Sequence, residues 1–163
     1  MYKKVLVAVD ASERSVRMAE HAVLLNQAGV IGKISLVHVV LEAKEEKPRW
    51  PGEYGIELVP GRPANLETRL VVESKLAPVL DVFEEAGVAV ELQVLVGDPA
   101  EVICQLARRG DYDLVITGSR GLNRLEGLLM DSISSQVLAG AGCPVMVLNP
   151  IPKTEPVVPV NQF

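Results

Sequence analysis

The sequence predicts an α/β fold: an open, five-stranded parallel sheet with helices on both faces. Three observations carry this reading. Runs dense in Val, Ile and Leu, such as residues 4–9, 34–40 and 144–148, show no polar alternation, which is the pattern of strands covered on both faces. Those runs alternate along the chain with stretches of helical periodicity, so the strands are joined by crossovers and the sheet is doubly wound. The apolar residues are mostly aliphatic, with only two Phe and one Trp, as a Val-rich buried sheet requires.

The first strand is Lys4 to Asp10, an apolar run that ends in an acid. Ser12 is placed to cap the helix that follows. Val16, Ala19, Val23 and Leu24 give that helix its apolar stripe, and Gly29 ends it. A second buried strand covers 34–40. Residues 41–65 read as a long loop, with five prolines and glycines before Gly61. A single helix is expected from Leu66 to Glu85, closed by Gly87. The third strand is 88–96. Asp98-Pro99-Ala100-Glu101 then starts a helix, with Asp as the cap and Pro in the first turn. The fourth strand is Asp113 to Thr117, a helix covers about Ser132 to Ala139, and the fifth strand is 144–148. The tail, 149–163, holds four prolines and cannot be helical.

Length and charge exclude several function classes. A chain of 163 residues suits one domain. A formal charge of −5 gives no electrostatic case for binding nucleic acid or a membrane surface. No apolar run approaches the roughly 20 residues of a membrane span, and Asp10 interrupts the N-terminal run too early for a signal peptide. The expected location is the cytoplasm. Cys104 and Cys143 lack metal-ligand spacing and are expected to be reduced thiols.

In a parallel sheet, ligands bind beyond the carboxyl ends of the strands. Those ends here are Asp10, Val39 and Val40, Gly97, and Thr117-Gly118, and they should converge on one crevice. The richest stretch is Thr117-Gly118-Ser119-Arg120-Gly121, with Asp131-Ser132-Ile133 ten residues beyond Gly121. A strand, a Gly-rich loop and a helix N-terminus make an anion cradle, because glycine lets backbone N–H groups approach an oxyanion and the helix end adds about half a positive charge. Asp131 puts a carboxylate at its mouth, where the bland alternative is that it caps the helix itself. Asp10 is read as a ligand or as a loop anchor, and Asp98 as a helix cap. His38, inside an apolar strand, is read as a satisfied core histidine, and His21 as a surface residue. No metal-ligand cluster and no Gly-x-Ser-x-Gly elbow is present. Lys44 to Lys47 reads as a solvated loop. The roles of Trp50 and Tyr54 stay open between a lid, a partner contact and a fold onto the core. A flavin carrier on the same kind of sheet is a rival, opposed by the low aromatic content.

Five segments together resemble the universal stress protein family, of the UspA-like type. They are Tyr2 to Glu13, Leu36-Val37-His38-Val39-Val40, Val96 to Glu101, Gly118-Ser119-Arg120-Gly121 and Cys143 to Leu148. The resemblance covers residues 2 to about 149, which divides the chain into a domain at 1–149 and a Pro-rich tail at 150–163. It implies a strand order of 3-2-1-4-5 and a homodimer paired through the last strand, Val145 to Leu148. It also implies a choice, because one branch of the family binds ATP through Gly-x2-Gly-x9-Gly-Ser/Thr and the other binds no nucleotide. Gly118, Gly121 and Ser132 fit that pattern, while Asp131 stands at the third glycine.

Carried over by position, adenine lies against Val9 and Val39, with Asp10 near the base or ribose. Gly97 and Gly118 line the ribose side, and Thr117 is counted with them among the binding residues. The N–H groups of Gly121, Asp131, Ser132 and Ile133 face the phosphates, and Arg120 and Arg124 supply positive charge. The function so implied is a regulatory, non-catalytic homodimer that binds ATP, ADP or AMP. Asp131 weakens that binding, and Mg2+ could bridge it to the phosphates. An unidentified regulatory protein would be its partner. The alternative is a protein-interaction dimer that binds no nucleotide. No general base is visible, so the chain is not expected to be an enzyme beyond slow ATP hydrolysis.

Overall fold

The structure, a computed structural model, describes residues 1–41, 61–119 and 133–149. The elements run β1 (Tyr2–Ala8), α1 (Glu13–Gln27), β2 (Ile31–Leu41), β3 (Arg62–Pro63), α2 (Leu66–Lys75), α3 (Ala77–Glu85), β4 (Val90–Gly97), α4 (Pro99–Arg109), β5 (Leu114–Gly118), α5 (Ile133–Gly140) and β6 (Val145–Leu148). They form one sheet in the order β3-β4-β2-β1-β5-β6. The five long strands are parallel and stand in the expected order.

Two features depart from expectation. The first is β3, which pairs antiparallel with β4 through Arg62↔Val96 and Pro63↔Leu95 and makes the sheet six-stranded. It falls inside the stretch read as loop, and its proline is tolerated because this is an edge. The second is the helix expected over 66–85, which is two helices meeting at Leu76. Pro78, the second residue of α3, has no N–H to give the Ser74 carbonyl, so the first helix cannot continue through it. The stretch 42–60, with Trp50 and Tyr54, and the tail 150–163 lie outside the described residues.

The sheet separates two apolar layers, as alternation along β1 dictates. Val5 and Val7 point into the layer that holds Met18, Ala22, Val79 and Phe83 from α1 and α3. Leu6 points into the opposite layer, with Ala100, Ile103 and Ala107 of α4 and Val137 of α5. Cys104 is buried in this second layer and Cys143 packs against it, both as free thiols. Burial pushes both thiols up from their ordinary pKa.

Asp113, just before β5, ties down the start of β1. Its carboxylate accepts the Lys3 N–H at 2.7 Å and the Lys4 N–H at 3.0 Å. The Lys3 amide, above all, and the Lys4 amide hold its carboxyl below the usual carboxylate range. A depressed folded pKa stabilises the fold above the unfolded value of about 3.9. That stabilisation is lost as pH falls through the lower, folded value. Asp113→Asn should therefore lower the urea midpoint at about pH 7, and the gap to wild type should narrow as pH falls below about 3.9. A gap that persists in acid would contradict this.

Candidate functional site

In the sheet, β2 lies on one side of β1 and β5 on the other, so the chain reverses its direction of winding between β1 and β5. A crevice opens at that switch point, beyond the strand ends. Its walls come from each predicted strand end that meets there. Val9 and Asp10 follow β1, Val39 is near the end of β2, and Thr117 and Gly118 close β5. Ile133 and Ser134 enter from the first turn of α5.

Asp10 proves to be a loop anchor. Its Oδ1 accepts the Ser12 N–H at 2.9 Å, the Ser12 hydroxyl, and the Ser15 hydroxyl at 2.9 Å, while its own N–H donates to Ser15 Oγ at 2.8 Å. This corrects the reading of Ser12. It occupies the cap position of α1 but makes no side-chain cap bond, because its hydroxyl is turned to Asp10. The acid thus organises the turn from β1 into α1 while remaining in the crevice wall.

At Gly118 the missing side chain is what keeps space open: a Cβ there would lie 2.8 Å from Met18 Sδ. Ser119, the next residue, donates its N–H to the Leu148 carbonyl at 2.9 Å and so pins the end of β5 to β6. Gly97 is placed elsewhere. A Cβ on it would meet Val102 Cγ2 at 2.9 Å and Gly61 N at 3.5 Å, so its smallness serves the contact between β4, α4 and the approach to β3. Gly97 and Val40 do not line the crevice; Val40 packs against the first apolar layer. Arg120, Gly121, Arg124, Asp131 and Ser132 lie outside the described residues.

Several wall residues went unread in the sequence. Pro99 and Ile103 come from α4, and Arg14, Ser15 and Met18 from α1. Arg14 is exposed at the rim and is the cation among the described wall residues. Asp98 caps α4 as expected, accepting the Glu101 N–H at 3.0 Å. His38 is satisfied, as expected of a strand histidine, but it is half-buried and stands in the crevice wall. Its Nδ1 lies 2.8 Å from the Val9 carbonyl oxygen. A carbonyl can only accept, so Nδ1 carries the proton.

The described walls enclose about 120 Å³. Their chemistry is mixed: Val9, Met18, Val37, Val39 and Ile103 give apolar surface, and Asp10, Arg14, His38 and several hydroxyls give polar groups. Among the described residues, no group of three His, Cys, Asp or Glu side chains could hold a metal ion. No described helix is long and apolar enough to cross a membrane.

The sequence profile of the universal stress protein family matches residues 1–149. The chain belongs to that family. It is 30% identical over 152 residues to the universal stress protein YxiE of Bacillus subtilis, covering 91% of this chain and 99% of that one. Among solved structures, it is similar to a universal stress protein family protein from Arabidopsis thaliana with AMP bound. That likeness has a TM-score of 0.59, 26% identity, and coverage of 96% of this chain and 98% of the other. It is also similar to a universal stress protein in complex with cAMP, with a TM-score of 0.64, 21% identity, and coverage of 91% and 97%. At that identity the second likeness speaks for the fold alone.

Proposed function

We propose that this universal stress protein is a regulatory, non-catalytic module that binds an adenine nucleotide in the crevice between β1, β2 and β5. The observation that carries the reading is the convergence of Val9, Val39, Thr117 and Gly118, from three separate strands, on one crevice at the switch point. The AMP-bound relative from Arabidopsis supports adenine as the base. Asp131, at the third glycine of the nucleotide pattern, favours fewer phosphate charges. AMP is therefore the preferred ligand, with ADP and ATP weaker unless Mg2+ offsets the acid.

The non-catalytic reading rests on how titratable groups among the described wall residues are used. The one histidine in the wall has its Nδ1 proton committed to Val9, and Asp10 Oδ1 is engaged by three donors. Pairing into a homodimer would use β6, which has β5 on one side and is the last strand of the sheet; Val147 on it is 40% exposed. A regulatory protein partner would then read the state of the dimer.

Calorimetric titration and thermal melting with AMP, cAMP, ADP and ATP, each with and without Mg2+, test the proposal. AMP at a hundred times its dissociation constant stabilises by about 2.7 kcal/mol, which raises the melting temperature by roughly 5–10 °C for a domain of this size. No heat and no shift at millimolar nucleotide would leave the protein-interaction dimer as the better reading.

A further inference from the structure

We propose that His38 is a positioning residue: it ends the β1–β2 ladder one bond early and thereby keeps the Val39 amide available to the edge of a bound base. The ligand half of this rests on the nucleotide reading above; the ladder half does not.

In a parallel pair, every second residue of one strand bonds the two residues that flank its neighbour on the other. The β1–β2 register runs to Ala8↔Val37. The Val9 N–H continues the pattern by donating to the Val37 carbonyl at 2.9 Å. The next bond of the same ladder would carry the Val39 N–H to the Val9 carbonyl. That bond is not made; the Val9 carbonyl accepts the His38 Nδ1–H instead, at 2.8 Å. Val9 is 6% exposed, so its carbonyl needs a donor from the protein. The imidazole supplies it and releases the Val39 amide from that duty. Val9, His38 and Val39 all stand in the crevice wall, so the displaced amide belongs to the crevice rather than to the interior of the sheet. A hydrogen-bond donor beside apolar surface is what an acceptor nitrogen of a purine requires.

Two substitutions separate this role from simple packing. His38→Phe keeps a ring but loses the donor. The Val9 carbonyl is then left to recruit the Val39 N–H, and the ladder closes by one bond. His38→Asn places an amide nitrogen at the same distance along the side chain as Nδ1, and so restores the donor. Residue-resolved hydrogen exchange by NMR reads the ladder directly, without any ligand. In the Phe variant, exchange at the Val39 amide should slow at least about tenfold, and AMP should bind at least about tenfold more weakly. The Asn variant should match wild type in both.

Unchanged Val39 exchange in the Phe variant overturns the proposal whatever happens to AMP. Slowed exchange with unchanged AMP affinity overturns the claim that this amide serves the base. An Asn variant that behaves like the Phe variant overturns the donor role. If wild type binds no AMP, the nucleotide reading fails, and the exchange comparison still decides the ladder.

Discussion

An Asp131→Gly variant should bind ATP more tightly than wild type by about one to three decades, and should gain less for AMP. On the proposed reading, the glycine that the nucleotide pattern calls for at this position would lie beside the phosphates. Two like charges about 4 Å apart repel by roughly 1 kcal/mol in water and about 4 kcal/mol near a protein surface. Each 1.4 kcal/mol is about tenfold in affinity. The gain grows with the number of phosphate charges, so the ratio of ATP to AMP affinity is the sharper readout. The fold should lose up to about 1 kcal/mol if the acid also caps the helix that becomes α5. Calorimetry on both proteins with AMP, ADP and ATP measures the ratio. An unchanged ratio would mean that position 131 does not meet the phosphates. Absence of binding in both proteins would point to the interaction dimer.

The largest expected effect on stability is at Phe83. It is fully buried and is among the bulkiest side chains of the layer between the sheet and helices α1 and α3. Phe83→Ala removes most of a ring and leaves a cavity that its Val and Ala neighbours can fill only in part. The expected cost is about 3–5 kcal/mol, or a fall in melting temperature of roughly 6–20 °C. Urea unfolding should show a lower midpoint with an unchanged slope. A loss below about 1 kcal/mol would mean that the layer is looser than its burial indicates.

Much of the fold was legible because buried strands announce themselves. Lys4 to Val9, Leu114 to Thr117 and Pro144 to Leu148 are apolar on both faces, and only a sheet covered on both sides can use such runs. β3 was not legible: two residues, one of them proline, carry no periodicity, and only their pairing with Val96 and Leu95 makes them a strand. The break at Leu76 is legible in the sequence, since Pro78 marks it. Ser12 had the right residue type for a cap, yet competition from Asp10 for its hydroxyl could be seen only in three dimensions.

The candidate site divides in the same way. Val9, Asp10, Val39, Thr117, Gly118 and Ile133 do meet, because strand ends in a parallel sheet share one edge. Gly97 sits at a strand end too, but β4 is separated from β1 by β2, and its glycine is used to admit Val102. Arg14, Met18, Pro99 and Ile103 joined the wall through the packing of α1 and α4, which no local pattern encodes. His38 carried a signal, a polar ring near the end of an apolar strand. Its use depends on the Val9 carbonyl lying opposite, and this is a fact of register.

The most direct test of the account is two-dimensional amide NMR of the protein titrated with AMP. Shifts concentrated at Val9, Asp10, Val39, Thr117, Gly118 and Ile133, saturating with a single dissociation constant, are the expected result. An unperturbed spectrum at millimolar AMP, or shifts gathered along β6 instead, would contradict a nucleotide site at the switch point.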